Sequence, residues 1–221
     1  TAVPSTSRSK IMDALNPNLQ LIIAAVIGYL FGSVPWGLVL MKLAGKGDIR
    51  TMGAGNIGAT NVARNAGKPL GALTLILDAS KGAIAALIFM QFSELAGIIA
   101  GFTAVLGHNF SIWLKFKGGK GVATSLGVIL MVSWPIGILT CCAWLVLWST
   151  FKYSSLASMG ALVVTPGIAY WFKGGPSAVM YMTAGLAILS LIRHHQNIKR
   201  LLKGEEPKTG KKKPVEQPPA Q

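Results

Sequence analysis

Residues 107–125, with the sequence GHNFSIWLKFKGGKGVATS, combine residue types that bind phosphate. Glycine leaves backbone amides accessible to a ligand, and lysine supplies a mobile positive charge. A turn of this kind that opens into a helix attracts an anion, because its first N–H groups and the helix dipole both favour negative charge. The candidate phosphate-binding residues here are His108, Asn109, Lys115, Gly118, Gly119, Lys120 and Gly121.

The same stretch has a simpler interpretation. Lysines concentrate in cytoplasmic loops at the ends of membrane helices, whatever those loops bind. The stretch is not a Walker loop, because no glycine precedes Gly119-Lys120 at the required distance and neither Ser nor Thr follows. A phosphate site therefore depends on what the other polar segments contribute.

Another polar segment, GAGNIGATN (53–61), lies earlier in the chain between two apolar runs. It formally matches the G-x-G-x-x-G dinucleotide fingerprint, but that fingerprint needs a preceding strand and a soluble βαβ unit. An apolar run of membrane length precedes it instead, so we reject NAD binding. The segment is either an ordinary turn or a loop that wraps an oxyanion with backbone amides and arginine. Its candidates are Arg50, Gly55, Asn56, Gly58, Thr60, Asn61 and Arg64.

The third polar segment, RHHQNIKRL (193–201), follows the last apolar run. If the helix continues, Arg193, Asn197 and Arg200 share one face, and His194 lies roughly beside Asn197. A histidine here is a candidate general base. Alternatively, the histidines only favour a helix C-terminus. We predict His194 and Asn197 as catalytic residues and Arg193 as a phosphate ligand.

The chain that must position these segments is strongly apolar. Of its 221 residues, 52% are hydrophobic and only 13% are charged, against about a quarter in soluble domains. The apolar residues fall in runs of about 18 to 22, the length that crosses a bilayer. We predict an all-α integral membrane protein with about seven transmembrane helices, over about 19–43, 70–92, 95–114, 122–151 (two helices, broken at 133–135), 156–172 and 177–192. One long tilted helix over 122–151 is the alternative there.

Charge sets the expected orientation. Nearly all lysines and arginines lie in 42–68, 115–120, Lys152 and 193–213, so the positive-inside rule places the N-terminus outside and the C-terminus in the cytoplasm. Five spans give the same orientation if some runs are re-entrant. The three motif loops then share the cytoplasmic face. Cytoplasmic loops, anionic lipid and phosphorylated substrates explain the net charge of +14 better than nucleic acid, since no stacking aromatics lie among the basic residues.

We expect one catalytic membrane domain over 17–206. Residues 1–16 are a polar N-terminal arm or an expression remnant, and the Pro- and Lys-rich residues 207–221 are predicted to be disordered. We expect neither a metal nor another cofactor, because the cysteines are two neighbours and the acidic residues between positions 17 and 204 are only Asp48, Asp78 and Glu94. Asp78 and Lys81 are one turn apart in an apolar run; we interpret them as a structural pair, although charges inside a membrane suggest a role.

Two features of the first apolar run, 19–43, predict how its helix packs and bends. Gly28, Gly32, Ser33 and Gly37 form a stripe of small residues that lets another helix approach closely. Pro35 is expected to kink the helix.

Three segments, which we call the first motif (53–61), the second motif (107–125) and the third motif (193–201), resemble the three cytoplasmic motifs of the acyl-phosphate-dependent glycerol-3-phosphate acyltransferases of bacteria, the PlsY family. YLFGSVPWG and LDASKG extend the resemblance, which covers about residues 19–206. Three motifs in order, at matching spacing, are much more specific than one. The family usually has Ser where this chain has Ala54, so that hydroxyl cannot be required for chemistry here.

The resemblance implies a seven-span enzyme of the bacterial inner membrane whose active site faces the cytoplasm. It would transfer a fatty acyl group from acyl phosphate to the sn-1 hydroxyl of glycerol 3-phosphate, giving lysophosphatidic acid and phosphate, without acyl-CoA or acyl carrier protein. We expect it to contact membrane lipid and to function as a monomer. The alternatives are a transporter of organic phosphate or anions, which would place polar residues at the midplane, and a scaffold for anionic lipid.

The chemistry of the candidates is compatible with that reaction. Acyl phosphate already has a good leaving group, which leaves charge neutralisation, positioning and proton removal to the protein. Lys120 and the amides of Gly118, Gly119 and Gly121 would hold one phosphate. His194 is the candidate base, with Asn197 orienting the attack, although the departing phosphate could accept the proton instead. The other phosphate, or both, would contact Arg50, Arg64, Asn56 and Thr60.

Overall fold

The structure is a computed structural model that describes residues 16–209, and the regular elements in that range are helices without any strand. The predicted all-α class is therefore confirmed. Residues 1–15 of the predicted arm and 210–221 of the predicted tail lie outside the described residues. The helices are α1 (Pro17–Ser33), α2 (Trp36–Leu43), α3 (Ala59–Ala66), α4 (Lys68–Met90), α5 (Glu94–Asn109), α6 (Val122–Val132), α7 (Trp134–Phe151), α8 (Ser154–Lys173), α9 (Ala178–Arg193) and α10 (His195–Leu202), with 3-10 turns at Ile49–Thr51 and Ile112–Leu114.

Among residues 16–209, five helical stretches are long and apolar enough to cross a membrane, and α6 and α9 are apolar but shorter. The 11 residues of α6 extend about 17 Å, against about 30 Å for a hydrocarbon core. The number of spans and their orientation therefore stay predictions. Ile22, Ile76 and Val146 are more than half exposed, as expected of side chains that face lipid. The five stretches are Pro17–Leu43, Lys68–Met90, Glu94–Leu114, Trp134–Phe151 and Ser154–Lys173.

The predicted kink at Pro35 is a complete break between α1 and α2. Proline has no N–H group to continue the helical bonding, and the carbonyls before it are freed. Ser111 Oγ donates to the carbonyl of Ser33 at 2.5 Å, and Lys81 Nζ donates to that of Val34 at 2.8 Å. The break thus ties α1 to α4 and to the segment after α5.

Gly28 and Gly32 of the predicted small-residue stripe pack against α5, whereas Gly37 lies on α2 and meets the carbonyl of Ile57. A Cβ atom on Gly28 would overlap the backbone of Ala100, and one on Gly32 would overlap the backbone of Ala104. The two helices are therefore in backbone contact, which only glycine permits at these positions.

The apolar run 122–151 forms two helices rather than one. Ser133 ends α6 and begins α7 with extended backbone angles, φ −154° and ψ 92°. Pro135 occupies the first turn of α7, where its missing N–H costs nothing. The predicted break is confirmed, and the single long helix is wrong.

The polar segment 45–68 lies between the first two predicted spans and contains the first motif. It is predicted to be a loop, but it is partly helical and has a small core of its own. It contains the first 3-10 turn and α3, which ends at Gly67 with φ +103°. Ile49, Ile57 and Val62 are buried against α2 and against Leu114 of the second 3-10 turn. These contacts hold the first motif beside the second.

Candidate active site

The second and third motifs meet at Lys120. Its Nζ donates a hydrogen bond to Oδ1 of Asn197 at 2.6 Å. Lys120 lies on the turn before α6, and the next residue, Gly121, is the N-cap with φ +77°, a left-handed conformation that suits glycine. A positive side chain and the first amides of a helix therefore lie together, as an anion site requires.

Lys120 lies in a cationic environment. Burial lowers its pKa to about 8; the charge of Glu206 opposes this shift, and Arg200, Arg193 and Arg64 add to it. Lys120 is thus mostly charged at neutral pH but surrounded by like charges. A bound phosphate would relieve that repulsion. The site thus combines cations of the second and third motifs with the charge of Arg64, which follows the first motif, and the carboxylate of Glu206.

The amides of Gly118 and Gly119 do not form the predicted cradle. The N–H of Gly118 donates to the carbonyl of Asn109 at 3.2 Å, and the N–H of Gly119 donates to that of His108 at 3.0 Å. That part of the prediction is wrong, because the turn folds back onto the end of α5 and uses these donors internally.

Arg193 holds the same turn through its carbonyls. Its Nε donates to the carbonyl of Gly119 and its Nη2 to that of Gly118, both at 3.0 Å. The guanidinium also lies over the ring of Phe110, 5.1 Å from the ring centroid. At least two of its donors therefore serve the turn. The substrate contact predicted for Arg193 stays a prediction.

The third motif is not one continuous helix. The chain breaks at His194, which is the C-cap of α9 and precedes α10. The N–H of His194 donates to the carbonyl of Ser190 at 2.9 Å, and its Nδ1 lies 2.8 Å from the same oxygen. Since that oxygen can only accept, Nδ1 carries the proton and Nε2 of the neutral ring has a free lone pair.

His194 is a weak base in this environment. Burial, with the neighbouring charge of Lys120, lowers its pKa to about 4. The ring is therefore neutral throughout the physiological range. A general base works best when its pKa lies near the working pH. The lowered pKa of His194 therefore favours a role as a hydrogen-bond acceptor over a role as a proton acceptor.

Glu206 is the residue of this site that sequence reasoning missed. Its Oε1 accepts from Asn197 Nδ2 at 2.7 Å and from Ser155 Oγ at 2.6 Å, and its Oε2 accepts from Arg200 Nε at 2.7 Å. Burial raises the pKa of Glu206, but these three hydrogen bonds and the charge of Arg200 outweigh it, so the net shift is downward. The signal that could have found it is a carboxylate in a basic segment, five residues after the end of the third motif.

The beginning of α8 also reaches the site, although no motif marks it. Ser155 bonds Glu206, and Oγ of Ser154 lies 3.5 Å from Oγ1 of Thr60 on α3. Residue 209 packs there too, its N–H donating to the carbonyl of Lys152 at 2.8 Å. These contacts join the first motif to the third.

In the first motif, the asparagines hold the loop itself. Asn61 is buried; its Oδ1 accepts from the N–H of Ala54 at 2.9 Å, and its Nδ2 donates to the carbonyl of Asn56 at 2.7 Å. Oδ1 of Asn56 accepts from the N–H of Gly58 at 3.1 Å. Both side chains and the Gly58 amide are thus engaged within the loop, and Gly55 adopts φ +66° there. Their predicted substrate contacts stay predictions.

Arg50 and Lys115 lie together at a cavity that neither Lys120 nor Asn197 lines. They line a surface cavity of about 460 Å³ with Trp113, Leu114 and Lys117. Arg50 is bound to Asp48, with Nε 3.0 Å from Oδ1 and Nη2 2.5 Å from Oδ2. Hydrogen bonds from Arg50 lower the pKa of Asp48 to about 2. Arg50 can therefore reach a substrate only with its remaining donors.

His108 and Asn109 lie beneath the turn 118–121. Asn109 is fully buried, and neither its Oδ1 nor its Nδ2 has a hydrogen-bond partner among the described residues. A Cβ atom on Gly121 would lie 2.6 Å from that Oδ1. Within residues 16–209 no three His, Cys, Asp or Glu side chains are grouped to hold a metal ion. The expected metal independence stays a prediction.

A helical membrane domain with a cation-rich site assembled from three polar segments defines an integral membrane protein that binds anionic ligands. The chain belongs to the glycerol-3-phosphate acyltransferase family, which it matches over residues 22–204. Membership of this family confirms the resemblance seen in the motifs. It does not favour the transporter alternative.

Similar proteins cover nearly the whole chain. A glycerol-3-phosphate acyltransferase of Rhodospirillum rubrum is 51% identical over 211 residues, covering 91% of this chain and 97% of the relative. One of Paramagnetospirillum magneticum is 52% identical over 199 residues, covering 90% and 98%. The fold is similar to crystal structures of PlsY (YgiH), an integral membrane glycerol 3-phosphate acyltransferase. Its glycerol 3-phosphate form gives a TM-score of 0.80 at 39% identity, over 86% of this chain and 96% of that one; its lysophosphatidic acid form gives 0.77 at 38%, over 86% and 95%.

Proposed function

We propose that this protein transfers a fatty acyl group from acyl phosphate to the sn-1 hydroxyl of glycerol 3-phosphate. The products are lysophosphatidic acid and inorganic phosphate. The observation that carries the proposal is the contact between Lys120 and Asn197, which joins the second and third motifs at the N-terminus of α6. The similar PlsY protein has been crystallised in a glycerol 3-phosphate form and a lysophosphatidic acid form, which supports the same acceptor and product here.

The reaction forms one ester bond and breaks one anhydride bond. The hydroxyl oxygen attacks the acyl carbon, and the bond from that carbon to the phosphate oxygen breaks. Lys120 and the first amides of α6 stabilise negative charge on the phosphate as it departs. No covalent intermediate with the protein is needed, because phosphate is already a good leaving group, and we propose that no metal is needed either.

The hydroxyl proton goes to the departing phosphate. A phosphate monoester has a second pKa of about 6, whereas the pKa of His194 is lowered to about 4, so the phosphate is the stronger base. His194 would then accept a hydrogen bond from the hydroxyl through Nε2 and orient it. Asn197, fixed between Lys120 and Glu206, would hold the geometry of attack.

The first motif and the cationic cavity complete the substrate contacts. Arg64 is close enough for its charge to act on Lys120, and Thr60 lies at the beginning of α3, whose first amides are available to an anion. Arg50 and Lys115 would serve the second phosphate or both, whereas the buried Asn109 would support the turn 118–121 from beneath. The acyl chain would lie between helices, open to the bilayer.

We further propose that the protein resides in the bacterial inner membrane as a monomer, with the site facing the cytoplasm. The distribution of lysine and arginine supports that orientation. In a protein lacking Cys141 and Cys142, the thiol introduced by Lys203→Cys should resist a membrane-impermeant reagent in intact cells and react after lysis. Labelling in intact cells would contradict the orientation.

The activity is tested by phosphate release from palmitoyl phosphate by the purified protein, with and without glycerol 3-phosphate. Mass spectrometry identifies the lipid product, and a chelator is present throughout. Phosphate release that requires glycerol 3-phosphate and yields lysophosphatidic acid supports the proposal. A folded protein that gives no turnover contradicts it, and turnover lost only with chelator contradicts metal independence.

A further inference from the structure

Three charged or polar side chains are buried together outside the proposed reaction. Asp78 and Lys81 of α4 and His108 of α5 have side-chain exposures of 1%, 2% and 4%. Nζ of Lys81 lies 2.9 Å from Oδ1 of Asp78, which confirms the predicted pair, and 2.9 Å from Nδ1 of His108. Burying charges is costly even when they are paired. The structure must therefore gain something from this cluster.

The protonation of the cluster follows from its contacts. An ammonium group has three hydrogens and no lone pair. Lys81 Nζ makes hydrogen bonds with the carbonyl of Val34 at 2.8 Å and with Nδ1 of His108 at 2.9 Å, and Oδ1 of Asp78 lies 2.9 Å away as its ion-pair partner without hydrogen-bond geometry. Nδ1 of His108 is then an acceptor, and the neutral imidazole carries its proton on Nε2. This tautomer is the opposite of the one that Ser190 imposes on His194.

The other side of the His108 ring supports the turn that carries Lys120. A Cβ atom on Gly119 would overlap Nε2 of His108, so ring and turn are in direct contact. The carbonyl of His108 also accepts the N–H of Gly119 at 3.0 Å. His108 therefore holds Gly119 with both its ring and its backbone, one residue before Lys120.

We propose that Asp78, Lys81 and His108 are positioning residues that fix the turn 118–121 and thereby place Lys120. Lys81 holds the His108 ring at Nδ1 and connects it to the break between α1 and α2. The ring contacts Gly119 and thereby fixes the position of that residue. The proposal rests on the proposed function in one respect, that Lys120 binds substrate phosphate. A displacement of about 1 Å at such a group lowers activity by about 100-fold.

Two variants of His108 test this directly. His108→Gln places an amide where Nε2 lies and keeps the reach to Gly119, whereas His108→Asn keeps a polar group near Lys81 but does not reach the turn. We expect KM for the phosphate-bearing substrates to rise 10-fold or more in the asparagine variant and less than about 3-fold in the glutamine variant, with kcat changing less. Equal KM values in the two folded variants would overturn the proposal.

A double variant tests the anchor. Asp78→Leu with Lys81→Met removes both charges at similar volume and leaves neither partner uncompensated. We expect a folded protein whose dissociation constant for glycerol 3-phosphate, measured calorimetrically, rises about 10-fold. An unchanged constant in the folded double variant would reject the role of Asp78 and Lys81.

The wild-type protein provides a test that needs no variant to fold. Nitrogen NMR of histidine-labelled protein should show His108 protonated on Nε2 alone and His194 on Nδ1 alone. A proton on Nδ1 of His108 would overturn the anchoring by Lys81. Inactive wild-type protein with the expected tautomers would reject the proposed function instead, so the two failures are distinguishable.

Discussion

Lys120 and Asn197 are 77 residues apart in the chain, and their side chains are joined by a hydrogen bond of 2.6 Å. Asn197 is held from its other end by Glu206 at 2.7 Å. The lysine that we propose as the contact for a substrate phosphate is thus oriented by an amide whose own orientation is fixed. Preorganised charge of this kind acts without reorganisation during the reaction.

Lys120→Ala should reduce kcat/KM for acyl transfer by about 100- to 1000-fold, because it removes the positive charge that the departing phosphate meets. Phosphate release from palmitoyl phosphate measures the effect. Lys203→Ala is the matched control, since Lys203 is exposed at the end of α10. Equal losses in the two variants would show that general surface charge, rather than Lys120, supports activity.

The alkaline limb of the pH profile should report Lys120. Its pKa is lowered to about 8, so the charged fraction falls as pH rises above that value, and kcat/KM of the wild-type enzyme should fall with it. Lys120→Arg keeps its charge at every accessible pH. We expect this variant to be less active at pH 7 but to lose the alkaline limb; a limb that persists near pH 8 would assign it to another group.

Glu206→Gln should lower both stability and activity. The carboxylate accepts hydrogen bonds from Ser155, Asn197 and Arg200, and hydrogen bonds to charged groups contribute about 1.5–3 kcal/mol each. We expect a melting temperature lower by several degrees and at least 10-fold lower kcat. Glu205→Gln changes the exposed neighbour and should have little effect in either assay. Wild-type behaviour of Glu206→Gln would reject the role of this network.

Much of the fold could be predicted because it follows from local rules. Pro35 removes an N–H group and breaks the first helix, the segment at Ser133–Pro135 separates α6 from α7, and small residues mark the contact of α1 with α5. The three polar segments could likewise be singled out by composition. Lys120 and Asn197 were both among the predicted site residues, and the structure brings them together.

The remaining features depend on contacts that no local pattern encodes. The amides of Gly118 and Gly119 looked available because glycine exposes its backbone, but the turn pairs them with carbonyls of α5. The break at His194 has no proline or glycine to mark it. Glu206 belongs to no periodic element, so only tertiary structure shows that it contacts Asn197.

His194→Asn should lower kcat more than it raises KM. The shorter side chain can keep the hydrogen bond to the carbonyl of Ser190 but loses the acceptor at Nε2, which we propose orients the hydroxyl. We expect a fall of about 10- to 100-fold in kcat, measured with both substrates saturating. His195→Asn alters an exposed neighbour and should leave kcat unchanged. A rise in KM alone would place His194 in binding rather than in orientation.

The same variant should alter the dependence of stability on pH. The pKa of His194 is lowered from 6.5 to about 4 in the folded protein, so between those values the unfolded chain binds the proton more readily. The contribution is fully present above about pH 6.5 and is lost as pH falls towards 4. Wild-type melting temperature should therefore fall more steeply over this range than that of His194→Asn. Identical slopes would show that burial does not disfavour the charged ring.

Gly32→Ala should destabilise the domain by bringing a methyl group into the backbone of Ala104. Overpacking of this kind costs about 1–3 kcal/mol, and here it would also displace Ser33, whose carbonyl accepts from Ser111 ahead of the turn 118–121. Gly167→Ala on α8 is the matched control, because nothing lies within 4 Å of the added Cβ atom and alanine favours a helix. Melting temperature and kcat/KM should both fall for Gly32→Ala and hold or rise for Gly167→Ala. A stable, active Gly32→Ala protein would mean that α1 can move away from α5 without disturbing the site.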